Sequence, residues 1–436
     1  GYYDAPEREF RGFGYVETVD TDRAVVSNAA ELDQHPVLTK TWYHTGAWMR
    51  RHTLEDQYRE EYFRVPAWES LAAMVQLPGE TMDAVTVREA YRSVKGSPLR
   101  QEVYALDGSD KEGIPYAVTA TAYRVLLYQA RHRQRHAVWM NLQEQQLVWH
   151  SERSADDVRL AHELVLETDA YGRVLLSAAV AYQRHPDHID PSLPPLVQDE
   201  QALQHITFTR NAYTNDTGGI YEIPPEPPET SIKYGADMLH YRLGLPYETI
   251  GSALQPDASG GVPELYTPAA LKTLINTAPE VPYTNLTTPG YRVLSRQVSL
   301  FMDNAAAQAL DFGELESLAL PYESYTLVFD QDILAHCYGG KVTAGMLTAG
   351  KYKDLYNDQC FWIPSGTVGY SSPETSFYTP LVYRDPWGNE TTVTYWDEYY
   401  LLPESITDPL GNVTTVELYS LYHLQPLRMR DINNNI

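Results

Sequence analysis

A short motif returns at a fixed interval near the C-terminal end of the chain, and this repeat constrains the fold more than any other feature. The motif Asp-Pro-x-Gly-Asn occupies residues 385–389 and 408–412, and a third, altered copy starts at residue 431. The starting positions 385, 408 and 431 are equally spaced along the chain. A fixed period of about 20 residues or more indicates a repeat architecture, in which each unit packs on its neighbours.

Each repeat predicts a β-hairpin. Aspartate hydrogen-bonds nearby backbone, proline presets φ and glycine accepts a positive φ, so the motif is typical of a turn. The β-branched and aromatic residues alternate over 391–395, which predicts a strand, and residues 401–407 predict a second strand that leads into the next turn. Such a hairpin cannot bury its apolar face alone, so we expect neighbouring units to stack.

The candidate site residues of this region are therefore structural. The predicted turn residues are Asp385, Gly388, Asn389, Asp408, Gly411 and Asn412. The aromatic residues that we expect to pack between repeats are Tyr383, Trp387, Tyr395 and Tyr419.

The rest of the chain also predicts many short strands. Its aromatic residues are 34 Tyr against 9 Phe and 8 Trp, and tyrosine suits half-buried strand faces. Weaker copies of the strand, turn, strand order occur at residues 162–175 and 103–109, the latter followed by a predicted strand at 116–127. The predicted fold class is mainly β, a spiral or shell built from antiparallel hairpins with a few short α-helices.

Four segments predict short helices, and one predicts an extended linker. Residues 267–275 have a threonine cap, proline at the first helical position and apolar residues at helical spacing. The other predicted helices are 66–77, 304–310 and 343–347, and the proline-rich residues 222–229 predict a stiff linker. We predict β-rich segments at 1–200 and 201–380, the second with short helices, and repeat hairpins at 381–436.

The net charge of the chain limits the classes of partner that it can bind. With 58 acidic and 33 basic residues the net charge is −25, so nucleic acid is excluded as a partner, because phosphate contacts need lysine and arginine. An anionic membrane surface is a poor partner for the same reason. We predict no membrane contact, since the sequence has no run of about 18 apolar residues.

The two cysteines, Cys337 and Cys360, are too few for a disulfide framework. They could form one pair, but we expect both to be buried thiols that act as small hydrophobic residues.

Several clusters are candidates for chemistry, and each has a simpler interpretation. Residues 185–188 hold two histidines and an aspartate, which suit a metal, but a solvated loop is favoured. The basic strip 131–136 could bind an acidic partner, yet a solvated turn is favoured. Residues 4–11 mix acidic and basic side chains, which favours ion pairs at a strand edge over catalysis. Cys337 follows His336 without a third group, so it is not predicted to be a nucleophile. No catalytic, cofactor-binding or metal-binding residue is predicted.

The chain resembles the B component of the insecticidal Tc toxin complexes, which share a shell of Rhs/YD repeats with the Rhs toxins. The resemblance covers essentially the whole chain and depends on several long segments in the right order. These segments are residues 2–14, 41–47, 95–97, 99–108, 318–323, 362–366, 383–389 and 424–426. Ala5, where the family has glycine, and Asn434, at the turn glycine of the third repeat, depart from the pattern.

The resemblance implies a structural role. In that family the B component and a C-type Rhs partner form a hollow spiral of β-strands that encloses the toxic end of the partner. The shell delivers this cargo through a pore-forming A component, on which the β-propeller of the B component docks. Because the chain has no initiator Met and stops abruptly, we expect a wall segment that begins after the propeller and ends within the repeats. The resemblance also implies a secreted bacterial toxin with no enzymatic activity and no cofactor.

Two other functions are compatible with the sequence. YD shells also occur in cell-surface adhesion proteins, where the outer face binds partners. A β-rich carbohydrate-active enzyme would need two carboxylates about 5–10 Å apart, and the sequence offers no convincing pair.

Overall fold

The protein is mainly β, as predicted, with 43% of the described residues in strands and 14% in helices, and the sheets are mainly antiparallel. The computed structural model describes residues 1–20, 35–49, 51–64, 75–76, 82–218, 240–255, 265–371, 376–396 and 400–436. The predicted linker at 222–229 lies outside the described residues. So does the predicted helix at 66–77, except for residues 75–76, which form a strand.

Many of the strands are short, as the sequence predicts, but three of them contain 13 residues each. In chain order they are β1 (Tyr3–Asp4), β2 (Glu9–Phe10), β3 (Tyr15–Asp20), β4 (Val37–Tyr43), β5 (Val75–Gln76), β6 (Pro98–Ala105), β7 (Ala117–Gln129), β8 (Val138–His150), β9 (Arg159–Thr168), β10 (Val174–Ala181), β11 (His205–Tyr213), β12 (Thr217–Gly218), β13 (Tyr241–Arg242), β14 (Pro246–Gln255), β15 (Gly290–Met302), β16 (Leu320–Phe329), β17 (Phe361–Pro364), β18 (Thr367–Tyr370), β19 (Pro380–Arg384), β20 (Glu390–Tyr395), β21 (Pro403–Thr407), β22 (Val413–Ser420) and β23 (Gln425–Arg430).

The helices of the described residues are also short. They are α1 (Arg51–Glu61), α2 (Ala84–Ser93), α3 (Pro195–Gln201), α4 (Pro268–Thr277), α5 (Gln331–His336) and α6 (Ala344–Ala349). The predicted helices at 267–275 and 343–347 are confirmed as α4 and α6. Each begins after a threonine, Thr267 or Thr343, whose hydroxyl accepts a backbone N–H of the first turn.

The predicted helix at residues 304–310 is wrong, because this segment is a series of turns. The Asp303 carboxylate accepts the backbone N–H of Ala307 over 2.8 Å. Ala306 has a φ of 54°, which a right-handed helix does not permit.

The chain divides into two compact units, and the first contains residues 1–209, 253–279 and 289–291. Its strands follow the order β3-β4-β6-β7-β8-β9-β10, with the first part of β11 beside β10 and β5 parallel to β7. Alternate residues of β9, including Leu160 and Leu164, are buried. Helix α4 adds Leu271 and Ile275, one turn apart and fully buried, to the same core.

A buried ion pair holds the end of α1 against β6 in this unit. Arg100 and Glu102 lie two residues apart on one face of the strand, with 2.6 Å between Nε and Oε1. The Phe63 N–H donates to Glu102 over 2.9 Å, the Phe63 carbonyl accepts from Arg100 over 2.7 Å, and the Tyr104 hydroxyl donates to Glu102 over 2.6 Å. Because both charges have several partners, neither is left unpaired in the core, which would be strongly destabilising.

The second unit contains residues 210–252, 280–288 and 292–436. Strands β14, β15, β16 and β17 are neighbours in one sheet, and β18 to β23 form a six-stranded meander in chain order. Val298, Tyr325 and Trp362 form a buried cluster on the first of these sheets. The three-segment division predicted from the sequence stays a prediction, and its second boundary, residue 380, falls at the start of β19.

The prediction for the cysteines is wrong, because both are free thiols and neither is buried. Cys337 is exposed at the C-terminal end of α5, and Cys360 is half-buried in the turn before β17. Burial, with Asp358 nearby, raises the pKa of the Cys360 thiol to about 11.

Truncation of Leu271 should destabilise the first unit. Leu271→Ala removes a fully buried side chain, so we expect the free energy of unfolding in urea to fall by about 2–5 kcal/mol. Leu196→Ala on α3, where the leucine is largely exposed, is the matched control and should change it by less than about 0.5 kcal/mol. Equal effects of the two substitutions would contradict the assigned core.

Candidate functional site

The repeated aspartate organises each predicted turn through its side chain. Asp385 Oδ1 accepts the backbone N–H of Trp387 over 2.9 Å and that of Asn389 over 2.8 Å. Its Oδ2 accepts the Asn389 side-chain amide over 2.7 Å. Gly388 has a φ of 88°, where a residue with a Cβ would be strained. The motif residues are therefore fixed by one carboxylate.

The other two copies reproduce this geometry. Asp408 accepts the N–H groups of Leu410 and Asn412 over 2.9 and 2.8 Å, and the Asn412 amide over 2.8 Å. Asp431 makes the same three hydrogen bonds, each at 2.8 Å. Gly411 and Asn434 have φ values of 84° and 63°, so asparagine replaces the turn glycine without a change of conformation, as its tolerance of positive φ allows.

The weaker copy in the first unit has the same turn. Asp169 Oδ1 accepts the N–H groups of Tyr171 and Arg173, both over 2.9 Å, and Gly172 has a φ of 80°. The Arg173 guanidinium takes the place of the asparagine amide on the second carboxylate oxygen. The strand, turn, strand order predicted at 162–175 is confirmed by β9 and β10.

The pairing register of the C-terminal meander repeats with the same period as the sequence. Val393 lies opposite Ile406, and Val416, at the equivalent position of the next repeat, lies opposite Met429. Both valines are buried. Because side chains alternate between the faces of a sheet, the repeated register places equivalent residues of each repeat on the same face.

Two of the predicted aromatic residues close the open ends of the hairpins. The Tyr395 hydroxyl donates to the carbonyl of Pro380 over 2.9 Å, and the Tyr419 hydroxyl donates to that of Pro403 over 2.7 Å. The ring of Tyr419 also lies edge-to-face on Trp396, with 5.0 Å between centroids. Each hairpin is thus held by an aspartate at its turn and by a tyrosine at its other end.

Unlike Tyr395 and Tyr419, the other two predicted aromatic residues, Tyr383 and Trp387, are exposed. Tyr383 is 46% exposed and Trp387, at the tip of the first turn, is 61% exposed. Their packing against further repeats stays a prediction.

Sequence reasoning missed the prolines and Trp396. Pro380, Pro403 and Pro426 recur with the same period as the aspartate turns, and the first two begin strands, where proline removes no hydrogen bond from the ladder interior. Their spacing alone could have revealed a longer repeat, but the tyrosine contacts to their carbonyls could not be read from it.

The side-chain clusters that the sequence offered as candidate catalytic, metal or binding sites mainly make contacts with other residues of the protein. His185 caps the N-terminus of a short 3-10 helix (Pro186–His188) that ends at His188, and the two rings have centroids 5.7 Å apart. In the described part of the chain, no group of three or more side chains could hold a metal ion. Glu89 on α2 lies 3.5 Å from Arg131 and 2.9 Å from His136 of the basic strip. Residues 4–9 form ion pairs as expected: Asp4–Arg11 at 2.7 Å, Glu7–Arg88 at 2.7 Å and Glu9–Lys95 at 2.8 Å.

The core of the first unit contains a buried, neutral histidine. The Tyr182 hydroxyl accepts the Tyr266 N–H over 3.0 Å and donates its own proton to His162 Nδ1 over 3.1 Å, because the Gln145 oxygen on the other side of the ring can only accept. His162 Nε2 then carries the ring proton and donates to Gln145 over 3.2 Å. Burial lowers the pKa of His162 to about 4, which keeps the imidazole uncharged at neutral pH.

Two protein-family models match the chain in sequence over part of its length. The family described as "Insecticide toxin TcdB middle/N-terminal region" matches residues 1–46, and "Insecticide toxin TcdB middle/C-terminal region" matches residues 89–220. Among curated proteins, none matches the chain.

Solved structures match it in fold over nearly its whole length. The crystal structure of TcdB2-TccC3-Cdc42 has a TM-score of 0.74 at 22% identity, over 100% of this chain and 20% of the matched chain. TcdB2-TccC3 without its hypervariable C-terminal region has a TM-score of 0.74 at 23% identity, over 99% and 20%. The Tc holotoxin pore of Photorhabdus luminescens has a TM-score of 0.73 at 21% identity, over 99% and 19%. The chain therefore spans about a fifth of the proteins that it matches.

The fold is that of a mainly antiparallel β-protein of the Tc toxin shell type. The family resemblance predicted from the sequence is confirmed: two family models of the insecticide toxin TcdB match residues 1–46 and 89–220, and the fold of the chain matches that of solved Tc toxin complexes. None of the described helices is both long and apolar enough to cross a membrane.

Asp408→Asn should weaken the protein in a pH-dependent way. The Asn412 amide, followed by the backbone N–H groups of the turn, lowers the pKa of Asp408. A carboxylate whose pKa is lowered on folding stabilises the protein above the unfolded pKa of about 3.9, and this contribution disappears as the pH falls through the folded value. We expect urea midpoints to differ between wild type and variant at pH 7 and to converge as the pH falls through the lowered pKa of Asp408.

Glu404→Gln, at an exposed carboxylate of the neighbouring strand, is the matched control and should change the midpoint little over this pH range. A midpoint difference for Asp408→Asn that stays constant over the same range would contradict the role of its carboxylate.

His162 should make the first unit less stable between pH 6.5 and pH 4. The unfolded chain binds a proton at the ordinary histidine pKa of 6.5, whereas the folded chain binds it only near 4. Stability therefore falls as the pH decreases through this window, by about 3 kcal/mol in total. In His162→Gln this slope of unfolding free energy against pH should flatten, and in the exposed control His205→Gln it should persist. An unchanged slope in His162→Gln would contradict the assignment of this pH dependence to His162.

Proposed function

We propose that this chain is a wall segment of a hollow shell that, with a C-type Rhs partner, encloses a cytotoxic polypeptide. The observation that carries the proposal is the match of essentially the whole chain to part of TcdB2-TccC3 complexes. The family matches at residues 1–46 and 89–220 support the same conclusion from the sequence.

The pairing of the strands and the closed ends of the hairpins suit the wall of a shell. In an antiparallel sheet the backbone N–H and C=O groups are paired between strands, so the polypeptide forms a continuous surface without gaps. The aspartate turns and the tyrosine–proline contacts hold both ends of each hairpin, and Tyr383 and Trp387 remain available for contacts with further repeats. A wall of this kind would keep external proteases away from the enclosed cargo.

The proposed partners follow from the complexes that match. The C-type partner would supply the cargo, and a pore-forming A component, as in the matched holotoxin pore, would receive the shell through a propeller outside this segment. We propose a secreted complex and a structural rather than catalytic role.

The test is co-expression of the protein with a C-type partner, co-purification and limited proteolysis. We expect a stable complex in which a partner fragment survives digestion. The Tyr419→Phe variant removes the hydroxyl contact to Pro403 but keeps the ring, so cleavage within residues 396–424 should become faster. Tyr422→Phe, at a tyrosine that is 91% exposed, is the matched control.

Two outcomes would overturn the proposal. One is failure of the two proteins to associate, and the other is equal digestion of the partner with and without this chain. Either outcome would favour the adhesion function, in which the outer face of the shell binds other proteins.

A further inference from the structure

The loop between β7 and β8 carries the basic strip 131–136, and helix α2 holds both of its ends. The carboxylate of Glu89, whose side chain is 10% exposed, lies 3.5 Å from the Arg131 guanidinium and 2.9 Å from His136 Nδ1. It also accepts the backbone N–H of Ala137 over 3.2 Å. One carboxylate of α2 therefore fixes the beginning and the end of the loop.

Two arginines between these fixed ends keep their charges free. Arg133 and Arg135 are exposed, and neither forms an ion pair or a hydrogen bond with the described residues. The sequence has no acidic residue between Glu112 and Glu144. The tip of the loop thus presents two guanidinium groups that no carboxylate of the described residues neutralises.

A β-bulge brings an aromatic side chain to the base of the same loop. The register between β7 and β8 shifts between Leu127 and Gln129, so Tyr128 is the additional residue. Bulges often re-aim a side chain beside a functional site. Tyr128 is 49% exposed. Because a chain extends by at most about 3.6 Å per residue, its Cα lies within about 11 Å of the Cα of Arg131.

Tyr128 lines a cavity of about 490 Å³ at the ends of β7 and β8 that are joined by this loop. The other residues of its lining are mainly apolar and include Met82, Leu126, Leu127 and Met140. Among the described residues that line it, the one carboxylate belongs to Asp169, which accepts N–H groups of its own turn and pairs with Arg173. The cavity therefore offers apolar contacts, and methionine side chains adapt readily to the shape of a ligand.

We propose that this end of the β7–β8 hairpin binds an acidic segment of a partner polypeptide that carries one large apolar side chain. The apolar side chain would enter the cavity beside Tyr128, and carboxylates of the same segment would pair with Arg133 and Arg135. The cavity lies within the range of about 300–1,000 Å³ of ligand sites, and the free guanidinium groups complement an acidic segment. This inference goes beyond the proposed shell function and does not depend on it.

Nucleic acid would suit this surface less well than an acidic peptide. It carries a charge on every nucleotide, so the net charge of −25 would repel it more strongly than a short segment with a few carboxylates. The apolar cavity also favours a ligand with a hydrophobic side chain.

The experiment is calorimetric titration of the full chain with three capped pentapeptides at low ionic strength. Asp-Glu-Phe-Glu-Asp carries both the charges and the apolar side chain, Asn-Gln-Phe-Gln-Asn keeps the shape without the charges, and Asp-Glu-Ala-Glu-Asp keeps only the charges. We expect saturable binding of the first peptide. It should bind about fivefold or more tighter than the second, as two exposed charge pairs would give, and about tenfold or more tighter than the third, because it buries a phenylalanine ring.

The combined variant Arg133→Gln and Arg135→Gln should weaken binding of the first peptide by about fivefold or more. Both side chains are exposed, so its circular dichroism spectrum should stay that of the wild type. Arg159→Gln is the matched control, since its side chain is 56% exposed and it lies opposite His150, at the end of β8 far from the loop. This control should bind the peptide like the wild type.

Equal binding of the acidic and uncharged peptides, equal binding of the phenylalanine and alanine peptides, or an equal loss in the combined variant and in Arg159→Gln would overturn the proposal. The comparison of the three peptides uses only the wild type, so it stays decisive if the combined variant does not fold. Tighter binding of a five-nucleotide oligothymidylate than of the acidic peptide would also contradict it. In sedimentation of the chain alone, self-association that the combined variant removes would assign the loop to a second copy instead.

Discussion

The hydrogen bonds that an aspartate carboxylate accepts within each repeat turn determine the register on which the C-terminal sheet depends. A slip of one residue in an antiparallel pair would move every side chain to the opposite face. Asp385 and Asp408 prevent this slip because each binds two backbone N–H groups and an asparagine amide of its own turn. The buried positions of Val393 and Val416 follow from that register.

The core of the first unit contains polar side chains, and hydrogen bonds satisfy those described next. Arg100 and Glu102 share one face of β6 and are satisfied by the backbone of Phe63 and by the Tyr104 hydroxyl. His162 is kept neutral between Tyr182 and Gln145. Unsatisfied, these groups would be strongly destabilising, so they restrict the sheet to one arrangement of its neighbours.

Glu144 is one of several side chains of the first unit that depart from this pattern, since the fold leaves one of its oxygens without a hydrogen-bond partner. A β-bulge between β7 and β8 makes it an additional residue of the ladder, and it lines a cavity rich in acceptors. The repeat turns, by contrast, satisfy their polar groups internally, which suits a purely structural role.

The sequence by itself determined the period of the C-terminal repeat, the aspartate turns, the mainly β fold and the helices α4 and α6. These features depend on local chemistry: caps, positive φ at Gly388 and Gly411, and alternation within one strand. Only the tertiary structure decided the exposure of Cys337, the contacts of Tyr395 and Tyr419 to proline carbonyls, and the bulge at Glu144. Each of these depends on which strand or loop lies alongside, and pairing partners distant in the chain leave no local pattern from which they can be read.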